Sequence, residues 1–252
     1  MVRRNRASHR GRTHPTFVIT SCQSVPGGVT QRRVLSEAAS RKGLQLVEQP
    51  PRSVLASIEL AVLDAPVLVR GTLTLFLLHL AQAGAFDPVW SEQIHLDWAR
   101  ELQRDHPEIP VERIRHRRVE MDRAFPVASV LVSRDALDEV MAHCATPAER
   151  KNAHVLATAL SARAAVIVSD AAFCLGGVMA KLWHDTAILS PDAWCLELLA
   201  RQTDATLAGA RAHRASLAGG TMTVEAWLAL LREPGCGLPL TAAWLENHRE
   251  SL

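Results

Sequence analysis

Three aspartates carry the strongest chemical signal in the chain: Asp64, Asp97 and Asp170. Asp64 follows the apolar run 60–63, and Asp170 comes shortly after the apolar run 165–168. An unpaired charged carboxylate is costly in an apolar interior, so such a group is usually paired, protonated or bound to a cation. Mg²⁺ and Mn²⁺ prefer oxygen ligands, and water held by such an ion can attack a phosphodiester. The three aspartates together predict a hard-cation site suited to hydrolysis.

The elements that must hold these aspartates alternate between strand and helix. Such alternation predicts a parallel sheet, in which ligand sites lie outside the carboxyl ends of the strands. Asp64 and Asp170 fall at that edge, and Asp97 lies about two turns into the helix after the second strand. The alternatives are that Asp170 caps the next segment and that Asp97 is exposed on an amphipathic helix. We predict strands at 60–63, 88–90, 127–132 and 165–168, with helices that begin near Thr72, Ser91, Pro110, Ser133 and Thr146.

Three parts follow one another along the chain. Residues 1–58 are predicted to form a basic, weakly organised N-terminal extension, because residues 1–14 hold five arginines and no acidic residue. This extension is either a disordered tail or a basic arm for nucleic acid phosphates. Residues 59–184 hold the alternation of strands and helices. Residues 185–252 are predicted to form a small all-α C-terminal domain, whose helices begin near Ser190, Asp204, Thr223 and Pro239.

The composition narrows the class of protein. The chain has 252 residues, of which 48% are hydrophobic and 21% are charged, and these values are ordinary for a soluble globular protein. Its five cysteines stand far apart without a CxxC pair, so we expect neither a disulfide framework nor a cysteine-rich zinc site. No apolar stretch reaches the roughly 18 residues of a spanning helix, and no secretory signal pattern begins the chain. We therefore expect a cytoplasmic protein without a membrane partner.

Six segments, taken in order, carry a resemblance to a known family: Val62–Gly71, Pro88–Ile94, Ala153–Leu160, Val166–Asp170, Ser190–Asp192 and Met222–Trp227. The first four resemble PIN-domain proteins and, more narrowly, VapC-type ribonucleases, the toxins of bacterial toxin–antitoxin pairs. The last two are similar to the C-terminal extension of one VapC subgroup. The resemblance implies a PIN-like α/β/α sandwich with a central parallel sheet and cleavage of RNA with Mg²⁺ or Mn²⁺. It also implies an antitoxin protein as partner and often a homodimer.

The resemblance assigns roles residue by residue. The family's first acid matches Asp64, its helix acid matches Asp97, where Glu is usual, and its last acid matches Asp170. Asn152 stands where the family has an Asp, two positions before the His of its third motif. The resemblance therefore implies a catalytic site made of these three aspartates and Asn152.

Two departures from the family pattern bear on activity. Asn152 keeps a carbonyl oxygen but lacks a charge, which should weaken metal binding, and Pro66 replaces a common Asn. Glu149, one turn before Asn152 on the same helix face, is a candidate metal ligand in its place beside the three aspartates. The alternative role of Glu149 is the third-position glutamate of a capping box that begins at Thr146.

These observations leave two functions open. The first is a metal-dependent endoribonuclease, and the second is a PIN-fold protein with impaired catalysis that binds RNA or a protein. A phosphatase of the haloacid dehalogenase type is disfavoured, because Pro66 stands where its second Asp is required. A Rossmann or P-loop nucleotide site is disfavoured too, because residues 64–71 contain a single glycine.

A basic run on the predicted third helix is a candidate RNA contact. Arginine binds phosphate well through its forked donors, so we predict contacts with the RNA backbone. The alternative is a solvated face that nearby acidic residues partly neutralise. His154 lies among apolar residues and is predicted to be a hydrogen-bonded structural residue rather than a base or ligand. The predicted RNA-binding residues are Arg113, Arg115, Arg117 and Arg118, and the acidic residues are Glu112, Glu120 and Asp122.

Overall fold

A computed structural model describes residues 59–171, 175–178, 182 and 186–252 of the chain. The predicted extension 1–58 lies outside these residues. The strands are β1 (Leu60–Leu63), β2 (Asp87–Ser91), β3 (Ser129–Val130), β4 (Val166–Val168) and β5 (Ala187–Leu189). They form one sheet in the order β3-β2-β1-β4-β5, and every neighbouring pair is parallel. The predicted α/β class with a central parallel sheet is therefore confirmed.

Helices flank the sheet, and several begin at the residues that the sequence predicts. The side chains of Ser91, Ser133 and Thr146 each accept a hydrogen bond from the backbone N–H three residues later, as N-caps do. None of the described helices is both long and apolar enough to cross a membrane. The α-helices with full bounds are α1 (Ala65–Val69), α2 (Gly71–Gln82), α3 (Glu92–Asp105), α4 (Val111–Ala124), α5 (Arg134–His143), α6 (Pro147–Ala162), α7 (Pro191–Arg201), α8 (Thr203–Ser216), α9 (Val224–Arg232) and α10 (Pro239–Asn247); residues 175–178 are also helical, and short 3-10 helices lie at Ala218–Gly220 and Arg249–Ser251.

Burial on both faces explains why the central strands read as continuous apolar runs. Helices cover both faces of a parallel sheet, so neither face of a strand meets water. Every residue of β4 is buried, and so are the last three residues of β1. The same hydrophobic core includes Val62 from the sheet, Phe76 from α2 and Trp227 from α9. The core therefore continues from the sheet into the C-terminal helices.

The C-terminal segment, residues 186–252, contains a strand besides the helices that the sequence predicts for residues 185–252. Its strand β5 pairs with β4, with Ile188 opposite Ile167. Its helix α8 approaches α2 so closely that a Cβ on Gly209 would lie 2.6 Å from the Leu80 Cα. The prediction missed β5 because a three-residue apolar run has no periodicity that separates strand from helix.

The third strand is also shorter than predicted. The sequence predicts a strand over 127–132, but only Ser129–Val130 pairs with β2. Val127 and Leu131 are 84% and 94% exposed, respectively, so their apolar character does not reflect burial in the core. β3 lies at the edge of the sheet and has a neighbour on one side alone, so the residues that do not bond to β2 are not held in the sheet.

Candidate active site at the carboxyl edge of the sheet

The strand order reverses at the carboxyl ends of the neighbouring strands β1 and β4. From β1 the chain builds outward to β2 and β3 on one side, and it then returns to place β4 and β5 on the other side. Ligands of open parallel sheets bind where the strand order reverses in this way. Asp64 directly follows β1, and Ser169 and Asp170 directly follow β4. Two of the three predicted aspartates therefore lie at the topological switch point.

Asp64 is a buried carboxylate with two hydrogen-bond donors. It is 3% exposed and is the N-cap of α1, where its Oδ1 accepts a bond of 2.7 Å from the Ala65 backbone N–H. Its Oδ2 accepts a bond of 2.6 Å from the Ser169 hydroxyl. A carboxylate has about four acceptor positions, so Asp64 keeps acceptor capacity on both oxygens beyond these two bonds.

Burial raises the pKa of the Asp64 carboxyl above its ordinary value. The hydrogen bonds from Ser169 and Ala65 oppose this rise, and so does the nearby charge of His154, whereas the charge of Asp97 adds to it. The ionised form of Asp64 is therefore less stable than it would be in water. A cation beside it would favour that ionised form.

Asp97 lies on α3 within electrostatic reach of Asp64. Its side chain is 31% exposed and accepts a bond of 2.7 Å from Gln93 Nε2. His154 Nε2 lies 3.2 Å from Asp97 Oδ2, which is close enough for an ion pair but lacks the geometry of a hydrogen bond. Arg100, one turn later, adds a weaker contact at 3.6 Å. Asp97 is thus partly rather than fully exposed, and its role as a metal ligand stays a prediction.

His154 is a site residue that the sequence reasoning undervalued. Its Nδ1 donates to the Lys151 carbonyl at 3.1 Å, as a structural histidine would. Its other ring nitrogen lies against Asp97, and its charge acts on Asp64. The signal for this role was its position two residues after Asn152, in the segment that carries the family resemblance.

Asp170 is paired with an arginine. Its Oδ2 accepts a bond of 2.5 Å from Arg70 Nη2, and this ion pair is partly exposed. Among the residues that the structure describes, no group of three or more His, Cys, Asp or Glu side chains is arranged to hold a metal ion. A metal site shared by Asp64, Asp97 and Asp170 stays a prediction. Arg70 was missed because it lies 100 residues before its partner.

Asn152 and Glu149 lie on α6 and make local hydrogen bonds. Asn152 Nδ2 donates to the Ala148 carbonyl at 3.0 Å. Glu149 Oε2 accepts bonds from the backbone N–H groups of Thr146 and Ala145 at 2.8 and 2.7 Å. The capping box that the sequence offered as the alternative role of Glu149 is therefore confirmed. Because Oε2 is engaged in this cap, the structure adds no support for Glu149 as a metal ligand.

The donor chemistry of Asp64 and Asp97 fits a divalent hard cation. Mg²⁺ is commonly held by one or two carboxylates, and it completes its shell with water and substrate phosphates. Asp64 keeps free acceptor positions, and burial works against its own charge. Asp170 differs in that its Oδ2 is paired with the Arg70 guanidinium, whose positive charge opposes a cation beside the same carboxylate.

One of the predicted RNA contacts is wrong. Arg117 points into the protein, where it donates to the Leu68 carbonyl and, at 2.9 Å, to Thr74 Oγ1. Its guanidinium lies 4.9 Å from the centroid of the Trp98 ring, and burial lowers its pKa to about 10. Helical spacing would have revealed this orientation, because Arg117 shares a face with the buried Ile114 and Met121.

The other arginines of the basic run are at the surface. Arg115 and Arg118 line a groove of about 580 Å³ between α3 and α4. Arg118 forms ion pairs with Glu92 and Asp122, so the alternative of a neutralised face is confirmed for that residue. Arg113 and Arg115 are exposed, and their contact with RNA stays a prediction.

Comparison of the chain with protein-family models, with curated proteins and with solved structures gave no match. The resemblance to PIN-domain proteins thus depends on the first four sequence segments themselves. The fold adds a parallel sheet flanked by helices, with a switch point in its strand order. Many unrelated functions share that architecture, so the function must be argued from the side chains at the switch point.

Proposed function

We propose that this protein is a metal-dependent ribonuclease of the PIN type, in which Asp64 and Asp97 hold Mg²⁺ or Mn²⁺. The observation that carries the proposal is Asp64 itself. It is buried at the switch point, keeps free acceptor positions and lies within electrostatic reach of a second carboxylate. A structural aspartate would be expected to use its oxygens on backbone donors, whereas Asp64 has one such donor.

The side chains around the proposed ion have separate roles. When bound, the ion activates water and neutralises charge on the leaving oxygen. Ser169 orients the Asp64 carboxylate through its hydroxyl, and Gln93 orients Asp97. His154 lies against Asp97, and its charge acts on Asp64. The remaining coordination positions are left for water and the RNA phosphate, as is usual for Mg²⁺.

RNA cleavage by the purified protein tests this proposal. We expect a labelled single-stranded RNA to be cut in the presence of Mn²⁺. The variants Asp64→Asn and Asp97→Asn should each lose activity by at least about 100-fold, because even outer-shell partners of a metal cost roughly 10–100-fold when removed. The matched control is Asp204→Asn, which removes the charge of an exposed aspartate in the first turn of α8. Equal cleavage by the wild type and Asp64→Asn would refute the proposal.

The surface of α4 is proposed to contact the RNA backbone through Arg113 and Arg115. Each lost phosphate contact should lower the dependence of log affinity on log salt by about one unit. Substitution of both residues by glutamine is therefore expected to weaken RNA binding for all sequences alike. Fluorescence anisotropy across a salt series measures this effect, and an unchanged slope would exclude both residues from the RNA interface.

A second candidate function is an RNA- or protein-binding module with impaired catalysis. Two observations favour it: Asn152 is an amide where the family has a carboxylate, and Asp170 is neutralised by Arg70. Calorimetric titration with Mn²⁺ separates the candidates. Absent or millimolar binding by the wild type, together with recovery in Asn152→Asp, would favour the binding module over the enzyme.

The antitoxin protein, the homodimer and the cytoplasmic location implied earlier stay predictions. The first two follow from the family resemblance alone. Light scattering of the purified chain tests the homodimer. Co-expression with the product of the adjacent gene tests the antitoxin, because a true antitoxin would co-purify with this protein and suppress its cleavage of RNA.

A further inference from the structure

Arg70 joins three parts of the chain that are far apart in sequence. It occupies the single-residue break between α1 and α2. Its Nη2 reaches Asp170 at the end of β4, at 2.5 Å. A Cβ on Gly237, in the loop between α9 and α10, would lie 3.1 Å from its Nη1. The C-terminal segment therefore borders the candidate site through Arg70.

The break between α1 and α2 is held by hydrogen bonds from buried side chains. Thr74 Oγ1 lies within 3.0–3.2 Å of the carbonyl oxygens of Val67, Leu68 and Arg70. Arg117 adds a donor to the Leu68 carbonyl and another to Thr74. The Leu68 carbonyl is thus satisfied by Arg117, the Thr74 hydroxyl has one proton to give to one of the three nearby carbonyls, and the backbone at Arg70 is extended, with φ −75° and ψ 98°. The side chain of Arg70 consequently leaves the helix toward the sheet edge.

The loop between α9 and α10 packs against the side chain of Arg70. Gly237 has φ +70°, a conformation that favours glycine, and its N–H bonds to the Glu233 carbonyl at 2.7 Å. The Nε of Arg70 is buried without a hydrogen-bond partner among the described residues. A Cβ at 237 would force the guanidinium to shift by a few tenths of an ångström, so the loop packs closely against Arg70 in the position where Arg70 meets Asp170.

We propose that Arg70 takes the place of a metal cation beside Asp170 and that the loop at Gly237 holds the Arg70 side chain in this ion pair. Arg70 and the loop thereby limit metal binding at the site. This inference rests on the proposed metal-dependent function. The guanidinium occupies one acceptor position of Asp170 Oδ2, and its positive charge repels a cation that would bind the same carboxylate. Release of Asp170 would add a carboxylate to Asp64 and Asp97, and hard cations bind more tightly as the charge of their ligands increases.

Calorimetric titration of the full chain with Mn²⁺ alone tests the proposal. Arg70→Met removes the guanidinium and is expected to tighten Mn²⁺ binding by about 10-fold, within the range by which metal-site partners change affinity. The double variant with Arg70→Met and Asp170→Asn should return to the wild-type affinity, because the gain depends on Asp170. The matched control is Arg201→Met, which breaks a comparable ion pair with Glu59 elsewhere on the surface.

A second pair of variants tests whether the loop at Gly237 holds the Arg70 side chain in place. Gly237→Ala and Gly219→Ala both place a side chain at positive φ, +70° and +64°, and should lose a similar amount of unfolding stability. A Cβ at Gly219 has no heavy atom within 4 Å, whereas one at Gly237 meets Arg70. We therefore expect Gly237→Ala to tighten Mn²⁺ binding in the same direction as Arg70→Met, and Gly219→Ala to leave it unchanged.

The outcomes separate this inference from the proposed function. Unchanged Mn²⁺ affinity in both Arg70→Met and Gly237→Ala would overturn the inference, even if the wild type cleaves RNA through Asp64. If no variant binds Mn²⁺ and the wild type does not cleave RNA, both the inference and the proposed function fail. Circular dichroism shows whether Arg70→Met folds. If it does not fold, the Mn²⁺ affinities of Gly237→Ala and Gly219→Ala are compared instead, and that comparison decides the result.

Discussion

Two regions of the molecule each contain a buried aspartate and a histidine. These residues have different surroundings in the two regions. At the sheet edge these are Asp64 and His154, and in the C-terminal segment they are Asp192 and His213. Asp64 and Asp192 are 3% and 9% exposed, so burial alone does not distinguish them. The difference lies in the groups that surround each carboxylate.

Asp192 is used entirely in holding two helices together. Its carboxylate accepts bonds from the backbone N–H groups of Leu240 and Thr241 at 2.9 and 2.8 Å, and from the Thr241 hydroxyl at 2.6 Å. These are the first-turn donors of α10, so Asp192 caps that helix from α7. Asp64 accepts one bond from the backbone and has charged neighbours instead. The comparison teaches that the kind of donor separates a structural acid from a candidate ligand.

The histidines differ in the same way. His213 is fully buried, accepts a bond of 3.0 Å from Trp227 Nε1 and packs edge-on against Phe76 at 5.3 Å between ring centroids. Burial lowers its pKa to about 3. His154 is 14% exposed and lies against Asp97. One histidine is therefore held neutral inside the core, whereas the other lies against a carboxylate near the sheet edge.

Removal of Asp192 should give the largest change in stability. Asp192→Ala leaves three donors at the start of α10 without a partner, and each unsatisfied buried group costs about 1–3 kcal/mol. We expect the free energy of unfolding to fall by about 3–5 kcal/mol in urea denaturation. Asp204→Ala is the control and should change it by less than about 0.5 kcal/mol, as surface substitutions usually do. Similar losses in the two variants would remove the structural role of Asp192.

The buried His213 should make the protein sensitive to acid. Its pKa is about 3 when folded and 6.5 ordinarily, so between these values the unfolded chain binds a proton that the folded protein does not. The contribution of neutral His213 to the free energy of unfolding is therefore fully present above about pH 6.5 and is lost as the pH falls toward 3. At about 1.4 kcal/mol per pKa unit, the loss by pH 4 is on the order of 3 kcal/mol.

His213→Asn provides the control for this acid sensitivity. Asparagine keeps an acceptor for Trp227 Nε1 but does not titrate. Unfolding measured from pH 7 to pH 4 should show a smaller decline in this variant than in the wild type. An equal decline in both proteins would assign the acid sensitivity to other groups.

Substitution of Asp64 should give the smallest change in the free energy of unfolding. The contribution of Asp64 to stability should depend on pH in the opposite direction to that of His213. Because burial raises its pKa, the folded protein binds a proton that the unfolded chain lacks between the ordinary and the raised value. Its contribution to stability therefore falls as the pH rises through that window. Asp64→Asn should lack this fall and should stay within about 1 kcal/mol of the wild type at pH 7. A large loss of stability in this variant would make Asp64 a structural residue like Asp192.

Features set by neighbouring residues could be predicted from the sequence. The caps at Ser91, Ser133 and Thr146 depend on bonds to residues three positions later, and the structure has all three. The strand at 60–63 follows from its continuous apolar run. The inward position of Arg117 was also available from helical spacing, although its charge suggested a surface role.

The arrangement of the candidate site was decided by tertiary structure. The sequence by itself placed Asp64 and Asp170 at the ends of strands, and it identified Asp97 and the segment around Asn152. It contained no local signal that Arg70 would pair with Asp170, or that a loop at Gly237 would lie beside Arg70, because the two residues of each pair lie at least 100 positions apart. Hydrogen bonds and periodicity within one element can be read along the chain. The partner of a charged side chain depends on which elements the sheet topology brings together, and only the folded protein determines that.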